Sequence, residues 1–189
     1  MKIVDFNAPG FNGFEPEESI FVDTGILYAY FNSFDAYHAT VKNLFDTYVF
    51  NNENVLFLFV NPTIVNEIVN LAQRALDQYL IAHPHESENF ATRDKEAVRD
   101  EIMHFVRNLI QEDVLLILDG DKDCVLRQID LTNDLSAADA VNVSMASLYG
   151  ISFMTLDNRL VNNMIEVRSE IESIKNLIFT KPRHRTYFT

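Results

Sequence analysis

The sequence is poor in cysteine, in basic side chains and in long apolar runs, and each scarcity removes a class of protein. Its one cysteine, Cys124, has no partner for an internal disulfide. A disulfide-stapled secreted scaffold is excluded, and a reducing cytoplasm is the expected setting. Only 15 basic residues stand against 28 acidic ones, a formal charge of −13. That balance argues against broad attraction to nucleic acid, while leaving room for a local basic groove or for binding through metal ions. The main apolar runs, Val55–Val60 and Val114–Leu118, fall far short of the roughly 20 residues that cross a bilayer. Met1-Lys2-Ile3-Val4-Asp5 lacks the apolar centre of a signal peptide. No His/Cys set has structural-zinc spacing, and no internal repeat or interdomain linker is visible. A soluble protein with no membrane partner is expected.

What is present describes a folded chain. Its 189 residues are 48% hydrophobic and 12% aromatic, enough for one sizeable core. Short apolar runs alternate with amphipathic stretches. Ser19–Val22, Val55–Val60, Val114–Leu118 and Ile151–Thr155 read as strands, with Leu177-Ile178-Phe179 as an edge strand. Helices are expected from Ile26, from Asp35, from Pro62 to about Leu80 behind an Asn61 cap, over 92–110, over about 121–130, from Ala137 to a stop at Gly150, and after Asp157. Val141, Met145 and Leu148 form the expected inner row of the Ala137 helix. The pattern predicts a three-layer α/β/α sandwich with a mainly parallel central sheet. Residues 1–18 read as an N-terminal arm and 19–180 as a single domain. A loop and helix are inserted at about 82–112, and 181–189 form a basic tail.

Four carboxylates share a pattern. Asp23 and Asp157 follow the ends of strands, where open α/β sheets gather their ligands. Asp139 opens the helix that leads to the fourth strand. Glu67 lies on the edge of its helix's apolar arc, about 40° from Leu71, with no cation three or four residues on to pair with it. Three have a stated structural alternative: Asp23 as an N-cap, Glu67 as a solvated boundary residue, Asp139 as the acid of a capping box with Ser136. If the strands are parallel neighbours, all four converge at one sheet edge. Carboxylates that close repel one another, and Mg²⁺ or Mn²⁺, which take oxygen ligands, would relieve the repulsion. His83-Pro84-His85 reads as a solvated loop and Cys124 as core.

In order, Phe21-Val22-Asp23-Thr24, Pro62-Thr63-Ile64-Val65-Asn66-Glu67, Leu135-Ser136-Ala137-Ala138-Asp139-Ala140 and Phe153-Met154-Thr155-Leu156-Asp157 resemble the PIN domain of VapC-type ribonuclease toxins. Asp35-Ala36-Tyr37-His38 matches the Asp-x-x-His that often follows the first motif. The resemblance spans about 19–179, and the arm and the 82–112 segment depart from a compact toxin. It implies a Mg²⁺- or Mn²⁺-dependent endoribonuclease whose acids Asp23, Glu67, Asp139 and Asp157 hold the metal, with Thr24 and Thr155 orienting carboxylate or water. Asn158 and Arg159 would touch RNA phosphate, a role for which the polarity of a surface helix is an equal alternative, and His38 is not needed as a base. Implied partners are an RNA substrate, an antitoxin protein and a second copy in a homodimer. The alternatives are an RNA- or protein-binding module of the same fold, or an RNA-processing nuclease outside any toxin system. A haloacid-dehalogenase phosphatase is disfavoured because Gly25 stands where that family needs a second aspartate.

Overall fold

The computed structural model describes residues 1–50 and 55–181. The turn expected over 51–54 and the basic tail beyond Lys181 lie outside the described residues. Six strands build one sheet: β1 (Lys2–Asp5), β2 (Ser19–Val22), β3 (Phe57–Val60), β4 (Leu115–Ile117), β5 (Ser152–Met154) and β6 (Asn176–Phe179). Their order is β1-β6-β5-β2-β3-β4, and every pairing is parallel. Parallel strands need crossover helices, which cover both faces and force the inner strands to be apolar throughout. Ile20, Phe21, Val22, Phe153 and Met154 are accordingly sealed from solvent. Phe21 and Phe153 stack across the β2–β5 pair, their centroids 5.9 Å apart.

The helices are α1 (Thr24–Phe31), α2 (His38–Leu44), α3 (Pro62–Ala72), α4 (Asp77–Ala82), α5 (Thr92–Gln111), α6 (Lys122–Leu131), α7 (Ala137–Tyr149) and α8 (Asn158–Glu166). From β2 the chain moves outward to β3 and β4, and α1, α2, α3 and α5 pack together on one face. From β4 it returns to β5 and β6, and right-handed crossovers put α6 to α8 on the other face. The three-layer α/β/α sandwich is thus present, with an all-parallel sheet. The direction of winding reverses between β2 and β5, so the crevice at their carboxyl ends is the topological switch point.

Three expectations need correction. Lys2–Asp5, read as part of the N-terminal arm, pairs with Asn176–Phe179, so β6 is an inner strand and β1 takes the edge. The long helix expected from Pro62 to Leu80 breaks after Ala72. Side chains of α1 and of the residue that ends it claim the carbonyls there: Asn32 donates to Ala75 O at 2.9 Å and Tyr28 to Leu71 O at 3.3 Å, while Arg74 N turns back to Leu71 O at 2.9 Å. In α7, Leu148 is 43% exposed, whereas Asn142, Val143, Ala146 and Ser147 are buried. Small side chains let α7 sit close between the sheet and α6, so its large residues are pushed to the flanks. Cys124 is buried as expected, its Sγ 3.3 Å from Ser144 Oγ.

Candidate active site

β2 delivers Asp23 to the switch point. Its backbone N–H still bonds Met154 O, 2.9 Å away on β5, so the ladder runs through the residue and fixes its height. Asp23 precedes α1 but makes no capping bond with its side chain. The carboxylate turns inward instead and is only 8% exposed. Thr155, just past β5, donates its hydroxyl to Asp23 Oδ2 at 2.6 Å, and Asn142 Nδ2 lies 3.5 Å from Oδ1. Burial pushes the carboxyl up from 3.8 to about 6, and the charges of Asp139 and Glu67 add to the rise. The Thr155 hydroxyl and the Thr24 backbone act in the opposite sense.

The other three acids line one open cavity of about 290 Å³, together with Ser136, Arg159, Leu160 and Asn163. Glu67 is presented by α3, whose start is fixed by Asn61 Oδ1 accepting Ile64 N–H at 2.8 Å and by Pro62 in the first turn. It is half-buried, and its Oε2 accepts the Thr24 hydroxyl. Asp139 sits in the first turn of α7. Ser136 caps that helix, accepting Asp139 N–H at 3.3 Å and donating to Asp139 Oδ2 at 2.6 Å. Asp157 caps α8, with Oδ1 accepting Arg159 N–H at 2.7 Å and Leu160 N–H at 3.1 Å, while its own N–H bonds Thr155 Oγ1 at 3.0 Å. The fold therefore brings Glu67, Asp139 and Asp157 around one cavity with Asp23 coupled to it. Thr24 and Thr155 each hold an acid.

Two expected substrate contacts separate here. Arg159 lines the cavity, whereas Asn158 Nδ2 is spent on Leu156 O and Thr180 O at 3.2 and 3.3 Å. The His38 ring bonds Ala29 O at 2.9 Å and does not line the cavity. Sequence reasoning missed Asn142, because an asparagine in an amphipathic helix is ordinarily assigned to the wet face. Its one available signal was position, one turn beyond Asp139.

By the chemistry of the donors, the site fits a hard divalent cation: four carboxylates, oxygen only, one of them held buried. The side chains stand wider apart than a closed ligand shell, and among the described residues no three His, Cys, Asp or Glu groups gather to hold a metal. No helix among these residues is long and apolar enough to cross a membrane.

A family model described as PIN domain matches residues 20–164, a span that takes in all four acids. No curated protein matches the chain. Among solved structures, the chain is similar to one described as VapBC2 from Rickettsia felis bound to a DNA fragment from their promoter. Identity there is 12% and the TM-score 0.45, over 85% of this chain and 98% of that one.

Proposed function

This chain belongs to the PIN domain family, whose members are generally nucleases, and from that premise we propose that it is a metal-dependent endoribonuclease. The observation that carries the proposal is the gathering of Glu67, Asp139 and Asp157 around one cavity beside buried Asp23, at the switch point of the sheet. Asp23, Asp139 and Asp157, completed by Glu67, would hold Mg²⁺ or Mn²⁺. Such an ion, when bound, lowers the pKa of a bound water and neutralises charge on the scissile phosphate.

The chain's own residues do the rest. Thr155 and Thr24 fix the carboxylates of Asp23 and Glu67, so little reorganisation remains when substrate arrives. Burial keeps water from competing for Asp23. Arg159, the cation of the cavity wall, meets the phosphate backbone, a contact that positions RNA without reading its sequence. The products are a 5′-phosphate and a 3′-hydroxyl.

Within this reading the chain is the toxin of a type II toxin-antitoxin pair, acting in the cytoplasm as a homodimer. A basic side chain of the antitoxin would complement the acidic cavity. The PIN-like unit is assigned to residues 19–180, to whose sheet Lys2–Asp5 adds an edge strand. The ordered acid motifs support this assignment.

The test is cleavage of a structured-RNA pool with Mg²⁺ or Mn²⁺, with Asp23→Asn and Asp139→Asn proteins purified identically. Cleavage by the wild type alone, abolished by a chelator, supports the proposal. The second reading is an RNA- or protein-binding module of the same fold. It gains if all three proteins bind RNA alike and none cleaves. Cleavage by a chain whose expression is harmless to cells would favour an RNA-processing nuclease.

A further inference from the structure

The buried polar groups beneath the acid cavity form one line. Ile64 N–H donates to Asn61 Oδ1 at 2.8 Å, and Asn61 Nδ2 donates to Asn142 Oδ1 at 2.9 Å. Asn142 Nδ2 faces Asp23 Oδ1 at 3.5 Å, and Thr155 donates to the other oxygen of Asp23 at 2.6 Å. Asn61 and Asn142 are 0% and 1% exposed. Two asparagines sealed in an apolar interior lose their hydration and must be satisfied by each other.

We propose that Asn142 is a positioning residue for Asp23, its amide orientation dictated by the cap of α3. An asparagine amide can present either its oxygen or its NH₂ in almost the same space, so neighbours decide which way it points. The helix N–H of Ile64 can only donate, which forces Asn61 to show it an oxygen and to turn its NH₂ toward Asn142. Asn142 must then offer its own oxygen to Asn61 and its NH₂ to Asp23. The local need to cap one helix thereby decides that a donor, not an acceptor, faces the Asp23 carboxylate. Met145 Sδ, 3.3 Å from Asn61 Nδ2, is too weak an acceptor to redirect it. The line also ties α3, which carries Glu67, and α7, which carries Asp139, to the residue between them.

The inference rests on the reading of Asp23 as an acid of the cleavage site, and its test uses Mn²⁺ binding as well as activity. Asn142→Leu replaces the amide by an apolar group of similar size. Asn61→Ser keeps a good N-cap but is too short to reach Asn142. Both are compared with wild type for folding by circular dichroism, Mn²⁺ affinity by paramagnetic resonance, and kcat and KM on RNA.

Losing a group that orients a metal-binding carboxylate costs about 10- to 100-fold in metal affinity or activity. The expected result is that loss for Asn142→Leu in Mn²⁺ affinity and in kcat, with KM within about twofold, and a smaller loss in the same direction for Asn61→Ser. If the wild type binds Mn²⁺ without cleaving RNA and the variants bind it more weakly, the nuclease reading fails and the inference stands. If the wild type cleaves and the folded variants match it in Mn²⁺ affinity and kcat, the inference is overturned and the nuclease reading survives. A wild type that neither binds Mn²⁺ nor cleaves overturns both.

Discussion

Replacing Asp23 by asparagine should make the protein more stable, and the gain should depend on pH. In the fold the carboxyl is raised from 3.8 to about 6, chiefly because burial strips its hydration. Each unit of such displacement corresponds to about 1.4 kcal/mol, so the ionised group destabilises the folded chain by about 3 kcal/mol. The folded value lies above the unfolded one, which sets the sign. Above pH 6 the group is ionised in both states and the whole penalty is present. Between 6 and 3.8 the folded state binds a proton that the unfolded state does not, so the penalty fades as pH falls. Below 3.8 both states are protonated and nothing remains. Asp23→Asn should therefore exceed wild type by about 3 kcal/mol at pH 8, or roughly 6–12 °C in Tm for a chain of this size. The two should converge near pH 4. Urea unfolding at pH 8, 6 and 4 with a chelator present measures this. A variant no more stable than wild type at pH 8, or an advantage unchanged at pH 4, would refute the reasoning.

Other substitutions separate acids of the cavity from acids of the scaffold. Glu18 is buried at the amino ends of the strands, where its Oε1 accepts Ser152 Oγ and Asn176 Nδ2, both at 2.6 Å. Glu18→Ala should cost about 1–3 kcal/mol in denaturant unfolding and leave cleavage per folded molecule unchanged. Asp157→Ala removes the cap of α8 and should cost about 1 kcal/mol. Asp157→Asn should retain most of that stability yet lose cleavage, as a paired unfolding and cleavage assay would reveal. Gly13 has φ +100°, and a Cβ there would lie 2.8 Å from the Tyr48 ring, so Gly13→Ala should lose about 1–3 kcal/mol by the same unfolding assay.

Local chemistry made much of the fold legible. Asn61-Pro62 starts α3 as its capping geometry requires, and Gly150 ends α7 in the left-handed conformation at φ 62°. What stayed hidden depends on distant partners. Lys2–Asp5 is four residues long and half polar, too short to carry a period, and is a strand only because β6 offers it an edge. Gln73-Arg74-Ala75-Leu76 contains no glycine or proline. The helix breaks there because Asn32 and Tyr28, more than 40 residues earlier, take its carbonyls. The four acids could be named in advance because Asp23, Asp139 and Asp157 adjoin a strand end or helix start and Glu67 edges the apolar arc of its helix. Asn142 could not, since its role exists only where Asn61 and Asp23 meet it.

Cap and site acid are alternatives for Asp23 and Asp139 in the sequence alone, and the structure separates these two cases and adds a third in Asp157. Asp23 holds the cap position and makes no capping bond; α1 begins without it, and the carboxylate is committed to the interior. Asp157 caps α8 through Oδ1, and Asp139 is tied to Ser136 through Oδ2. A capping bond engages one oxygen of a carboxylate that has two. Capping therefore does not compete with a role in the cavity. It fixes the direction in which the carboxylate points. The same holds for Glu67, which takes the Thr24 hydroxyl at Oε2, and for Asp23, which takes Thr155 at Oδ2. Each acid is anchored by at least one donor, so the repulsion among them is borne by the scaffold of α1, α3, α7 and α8. An array assembled this way carries an electrostatic cost in the free protein, largest at Asp23, that a bound cation would lower.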